Sequence, residues 1–146
     1  MDTLRQTEKF SFLSPDFSTL WNYRREILDH LFEGLEGDKE RLGLIAEELK
    51  FLVKAIMKSP KSYTLWFQRQ WSLEKGLKFE RTVMQNNPES AILKNELLLC
   101  DKMLKQDERN FHCWNYRYWV VDVYLKEIHQ RVLLNDPQAT DVWNSH

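Results

Sequence analysis

The stretch Pro60-Lys61-Ser62-Tyr63-Thr64-Leu65-Trp66-Phe67-Gln68-Arg69 decides the fold, because it recurs. Its counterparts are Pro15-Asp-Phe-Ser-Thr-Leu-Trp21-Asn-Tyr-Arg24, Glu108-Arg-Asn-Phe-His-Cys-Trp114-Asn-Tyr-Arg117 and Pro137-Gln-Ala-Thr-Asp-Val-Trp143-Asn-Ser-His146. Three copies place Pro six residues before the Trp, and three place Arg three residues after it. The Trp residues are 45, 48 and 29 residues apart. A multi-residue motif returning at such intervals marks a repeat architecture. The first two intervals each hold two helices and two turns, whereas the third is short.

Working outward, the apolar residues Leu42, Ile45, Leu49, Leu52, Val53 and Ile56 follow the spacing of an amphipathic helix that ends near Ser59-Pro60. A second helix is expected from Ser62, which is suited to cap it, to about Leu77. The pair returns downstream: Leu93, Leu97, Cys100, Met103 and Leu104 mark one helix, and Asn110 opens another through Trp114 to about Leu125. A further helix is expected over about Leu125–Leu134 and a last one from near Thr140. Loops are expected at Gly34–Lys39 and Met84–Ser90, and no strand pattern stands out. The reading is all-α: a right-handed superhelix (an α-α solenoid) of helical hairpins, one domain over 1–146. Its motifs lie near 15–25, 60–70, 108–118 and 137–146, the last truncated.

Composition narrows the function. With 21 basic and 22 acidic residues the formal net charge is −1, which gives no support to nucleic-acid binding. No apolar run approaches the roughly 20 residues of a membrane span. The N-terminus lacks a signal-peptide pattern, so a soluble cytoplasmic protein is expected. Cys100 and Cys113 read as ordinary core or half-buried thiols. His30, His112, His129 and His146 show no zinc-ligand spacing; beside Cys113, His112 points to another face of its helix. No metal or cofactor is expected on this chain.

Within a motif, Trp and Arg stand three apart and share a helix face. Trp21, Trp66, Trp114 and Trp143 are expected to wedge between helices. Arg24, Arg69 and Arg117 are expected to lay their stems over the rings and to reach carbonyls or carboxylates at the next turn. The position three before the Trp varies as Ser18, Tyr63, Phe111 and Thr140, so it does not serve the common packing role. In the second copy, Lys61 and Tyr63 flank a helix start, where a cation, a phenol and free N–H groups make a candidate anion site.

The Pro-x-x-x-x-x-Trp-x-x-Arg pattern resembles the repeats of protein prenyltransferase α subunits. Asp16–Leu28 is similar to the first repeat of the Rab geranylgeranyltransferase (type II) branch, Ser59–Tyr63 to the start of its second, and Asp107–Arg117 to its third. The resemblance covers most of residues 15–143. It implies a crescent of hairpins wrapped around a β subunit that holds the zinc and the lipid pocket. It also implies that Lys61 and Tyr63 contact the diphosphate of geranylgeranyl diphosphate, and that Rab GTPases with their escort protein are engaged by the complex. The chain alone is expected to be inactive. Trp66-Phe67-Gln68-Arg69 departs from the family's Trp-His-His-Arg, and the fourth copy ends in His146 where Arg is expected. A non-catalytic helical adaptor, or an inactive fragment, is the alternative.

Overall fold

The structure, a computed structural model, describes residues 2–84 and 87–135. Those residues form six helices: α1 (Asp2–Leu13), α2 (Ser18–Gly34), α3 (Asp38–Lys58), α4 (Tyr63–Val83), α5 (Ala91–Gln106) and α6 (Phe111–Asn135). Consecutive helices pair as hairpins α1–α2, α3–α4 and α5–α6, the middle pair most extensively. Among the described residues there is no strand. The all-α fold of stacked hairpins is the one the recurring motif predicts.

The turns inside the hairpins share one construction. Phe17, Ser62 and Asn110 donate their amides to Ser14, Ser59 and Asp107 at 3.3, 3.2 and 3.2 Å. Each is a four-residue turn, and Pro15 and Pro60 occupy its second position, where their fixed φ is favoured. Glu108 holds that position in the third turn, which gains a side-chain bond from the Arg109 amide to Asp107 at 3.2 Å. The motif's Trp then closes each turn. Indole Nε1 donates to the carbonyl oxygens of Pro15 (2.7 Å), Pro60 (2.9 Å) and Glu108 (2.8 Å), six residues upstream in every case. The bond needs only a carbonyl, so Glu108 replaces Pro without loss.

The main core joins Trp21, Leu52, Ile56, Leu65, Trp66, Leu73, Leu93, Cys113, Tyr116 and Val120, drawn from five helices. A second cluster gathers Leu4, Leu28, Phe32, Ile45 and Phe79. Gly76 lies where these helices close up: a Cβ there would meet Ile92 at 2.6 Å and Ile45 at 3.0 Å. Helix α4 passes through the middle of the molecule and buries residues on both sides.

The helix bounds differ from the sequence expectation in three places. Helix α1 forms in an N-terminal stretch for which no helix was expected; it docks through Leu4, Thr7 and Ser11, a face too polar for a hydrophobic pattern to reveal. Helix α4 continues past Leu77 to Val83, held by Phe79 and Glu80. The break expected near Leu125 is absent and α6 runs unbroken for 25 residues, because nothing between Phe111 and Asn135 is Pro or Gly. The fourth motif, with Trp143 and the helix expected from Thr140, lies outside the described residues.

Candidate functional site

The three intra-hairpin turns lie side by side, and Lys61 and Tyr63 project from the middle one. Ser62 does not cap α4 as its position suggests. Its hydroxyl instead donates to Asp16 Oδ1 at 2.6 Å, in the first turn, while Thr64 donates to the carbonyl of Pro15 in a short bond. By contrast, Asn110 does cap α6, accepting from the Cys113 amide at 3.3 Å. With Ser62 turned away, the first-turn amides of α4 have no side-chain cap, and such amides carry the positive end of the helix dipole.

Tyr63 is 69% exposed and its ring stands edge-on to His112 at 4.4 Å. His112 is itself buried and stacked on Phe111 at 4.1 Å. The phenol is therefore braced through its ring, and among the described residues its hydroxyl has no hydrogen-bond partner. Lys61 is exposed and likewise without an ion pair among the described residues. Beside them a shallow cavity of about 270 Å³, lined by Ser18, Trp21, Arg25, Tyr63, Thr64 and Phe67, opens between α2 and α4. The structure thus brings together a lysine, a phenol and an uncapped helix start, with Asp16 as the nearby opposing charge.

Below this edge the motif arginines hold the hairpins together. Arg24 is buried and forks onto Glu48 of α3, with Nε 2.9 Å from Oε2, while Nη1 reaches the Leu4 carbonyl at 2.9 Å. Arg69 repeats the pattern 45 residues later: Nη2 donates to Glu96 of α5 at 3.0 Å and Nη1 to the Leu49 carbonyl at 2.9 Å. Each arginine thereby joins both helices of its own hairpin to the first helix of the next. The carboxylate lies on another helix, not at the next turn as the spacing suggested. The guanidinium of Arg24 also sits 4.6 Å above the Phe51 ring rather than over its own Trp21.

Sequence reasoning missed those acceptors. Glu48 and Glu96 each stand 18 residues before a motif Trp, a regularity that was there to be read. Tyr116 donates to Glu96 at 2.8 Å, and burial followed by the Glu96 charge pushes its phenol well above its ordinary pKa. Gln68, at the departure from the family pattern, bonds Glu48 at 3.1 Å and accepts from Arg25 at 2.7 Å. The substitution is absorbed by a network between α2, α3 and α4. Its neighbour Phe67 is exposed and faces Arg25 at 5.2 Å.

The third copy departs from the expected wedge. Trp114 keeps its bond to Glu108 yet is 50% exposed, against 1% for Trp21 and 6% for Trp66. Arg117 turns back to Asp101 of α5 at 2.8 Å and stays partly solvated. The physical reason is positional: α3–α4 covers the first copy and α5–α6 the second, and no described residue covers the third. Cys113 and Cys100 are both buried, with Cys113 Sγ 3.8 Å from the Cys100 carbonyl. Among the described residues no helix is long and apolar enough to cross a membrane.

Hairpins closed by a Trp–carbonyl bond and joined by a buried Arg–Glu fork define a helical-repeat scaffold. Residues 45–76 and 93–124 match the family model of the protein prenyltransferase alpha subunit repeat, and the chain belongs to that family. It is similar to the geranylgeranyl transferase type-2 subunit alpha of Rattus norvegicus, at 41% identity over 80% of this chain and 18% of that protein. The subunit of the same name from Candida albicans is 31% identical over 82% of this chain and 30% of its own length. That from Dictyostelium discoideum is 33% identical over 74% of this chain and 30% of its own. The chain therefore spans less than a third of each of these relatives. The first motif lies outside the two matched repeats but makes the same Trp and Arg contacts.

Proposed function

We propose that this chain acts as the α subunit, or the N-terminal part of one, of a Rab geranylgeranyltransferase. That enzyme transfers geranylgeranyl from its diphosphate to C-terminal cysteines of Rab GTPases. The observation that carries the reading is the placement of Lys61 and Tyr63 at an uncapped, exposed helix start, in a chain akin to type-2 α subunits. Attack of the acceptor sulfur on the isoprenoid carbon breaks the carbon–oxygen bond and leaves the electron pair on diphosphate. The Lys61 ammonium, the Tyr63 hydroxyl and the amides of the first turn of α4 stabilise that developing charge. The ring contact with His112 fixes the direction of the phenol.

In this reading the zinc and the lipid pocket belong to a β subunit seated against the crescent. Zinc bound there supplies the thiolate form of the acceptor cysteine. Rab arrives with its escort protein, the complex is cytoplasmic, and the chain alone is inactive. Copurification with a type-2 β subunit tests the assignment: a stable pair supports it, and failure to pair favours a non-catalytic adaptor. The exposed Phe67, where the family has His, is the feature that speaks for the adaptor.

A further inference from the structure

Cys100 of α5 and Cys113 of α6 are the two cysteines of the chain, and the fold sets them against each other. Both are buried in the main core, at 1% and 0% exposure, with Cys113 Sγ 3.8 Å from the Cys100 carbonyl oxygen. The repeat supplies its own comparison. Trp66 and Trp114 are 48 residues apart, and the same shift places Leu52 and Leu65 of the α3–α4 hairpin at the positions of Cys100 and Cys113. Each of those leucines is 0% exposed and belongs to the same core. Packing at this pair of positions therefore needs only apolar side chains, yet in α5–α6 both partners are thiols. A buried thiol pair adds what two leucines cannot supply, reversible oxidation to a disulfide.

We propose that Cys100 and Cys113 form a redox-sensitive modification site, at which a hydroperoxide converts the two thiols to a disulfide that staples α5 to α6. The two side chains already hydrogen-bond to each other. That bond holds the Cys113 thiol below its ordinary pKa against the opposing effect of burial, and Arg117 on the same helix assists. It pushes the Cys100 thiol up, and burial acts in the same direction. Cys113 is thus the nucleophile and Cys100 the resolving thiol. The Cys113 thiolate attacks the terminal oxygen of the hydroperoxide and the O–O bond breaks. The departing oxygen takes up a proton and leaves as water or an alcohol, and Cys113 becomes a sulfenic acid. The Cys100 sulfur then attacks the sulfenic sulfur: the S–S bond forms, the S–O bond breaks, and the oxygen leaves as water with the Cys100 proton. The sulfurs lose two electrons and the peroxide gains them, and a small thiol reverses the step by exchange. Cys113 stands in the first turn of α6 beside Phe111 and Trp114, which are 54% and 50% exposed. Local opening of that helix end admits a small oxidant. This inference does not rest on prenyl transfer and stands or falls separately from it.

The test treats the full folded chain with hydrogen peroxide, quenches it with an alkylating reagent in denaturant and digests it with trypsin. Mass spectrometry is expected to recover peptides 95–102 and 110–117 joined within one chain, and to find them separate after reduction. The oxidised protein should melt about 5–10 °C higher, because the bond closes a short loop around the Asp107–Asn110 turn. Added dithiothreitol should remove the shift, and Cys113→Ala should not show it. In Cys100→Ala, dimedone is expected to trap a sulfenic acid at Cys113, whereas Cys113→Ala should give none at Cys100; the reverse pattern overturns the assigned roles. The mapping on the unaltered chain decides the proposal even where a variant fails to fold. Both thiols still open to alkylation after peroxide, sulfinic acids without the joined peptides, or peptides joined only between two chains would each overturn it. A joined pair with no rise in melting temperature overturns the staple.

Discussion

Trp66 donates its indole N–H to the carbonyl oxygen of Pro60 at 2.9 Å. One residue thus closes the turn before α4 and fills the core behind it, its ring 5.2 Å from that of Tyr116. The six-residue Pro-to-Trp spacing follows from this bond: it is the distance along the chain from the second residue of the turn to the side chain that folds back over it. A buried hydrogen bond contributes about 1 kcal/mol net, while removing a large buried ring costs about 3–5 kcal/mol.

Replacement of the motif tryptophans therefore gives unequal losses. Trp66→Ala is expected to lower unfolding stability by about 3–5 kcal/mol and Trp66→Phe by about 1–2 kcal/mol. Trp114→Ala, at a half-exposed position, should cost about 1 kcal/mol or less. Urea denaturation followed by circular dichroism measures all three. Equal losses at 66 and 114 would show that a cover over α6, not seen among the described residues, is present in solution.

The motif arginines should separate in the same way. Arg69→Ala leaves Glu96 buried and short of its partner, and a broken buried pair costs about 3–5 kcal/mol. Arg117→Ala removes a partly solvated pair with Asp101 and should change stability by less than about 1 kcal/mol. A double replacement, Arg69→Met with Glu96→Leu, is expected to recover much of the single-variant loss, since no lone buried charge remains. Failure of that recovery would mean that the loss lies in the bonds the pair makes to its other neighbours, from Arg69 to the Leu49 carbonyl and from Tyr116 to Glu96.

Glu127 supplies a pH dependence. Burial pushes its carboxyl pKa up, but hydrogen bonds from Arg81 and Arg131, at 2.7 to 2.8 Å, outweigh that and hold it below its ordinary value. A carboxylate depressed in the folded state stabilises fully above its unfolded pKa, about 4.3 for Glu. That contribution is lost as pH falls through the lower folded value. Glu127→Gln should accordingly reduce stability at neutral pH and flatten its decline on the acid side of pH 5. Parallel acid limbs for the two proteins would contradict the assignment.

Much of this architecture is legible in the sequence because the motif states both the turn and the buried face. The boundaries at Ser59–Ser62 and Asp107–Asn110 follow from turn residues beside an apolar period. Helix α1 is not legible, since Thr7 and Ser11 are buried on local carbonyl bonds and carry no hydrophobic signal. The partners of Arg24 and Arg69 are distant in sequence, and local spacing pointed to the next turn instead. Trp114 fails for a different reason. A motif reports what its residue is built to contact, while burial depends on which neighbour is there. For Lys61 and Tyr63 the sequence located the helix start, but the diversion of Ser62 to Asp16 and the His112 brace depend on how the turns stack.

The most direct test of the proposed function is single-turnover prenyl transfer by Lys61→Ala in the heterodimer reconstituted with a type-2 β subunit. Lys61 is exposed and unpaired among the described residues, so its loss should leave subunit affinity and melting unchanged. The account predicts a chemical step slowed by as much as about a hundredfold, the loss of one preorganised donor to an oxyanion, with a smaller loss for Tyr63→Phe. An unchanged rate in Lys61→Ala, with assembly intact, would contradict the account and return Lys61 to the solvated surface.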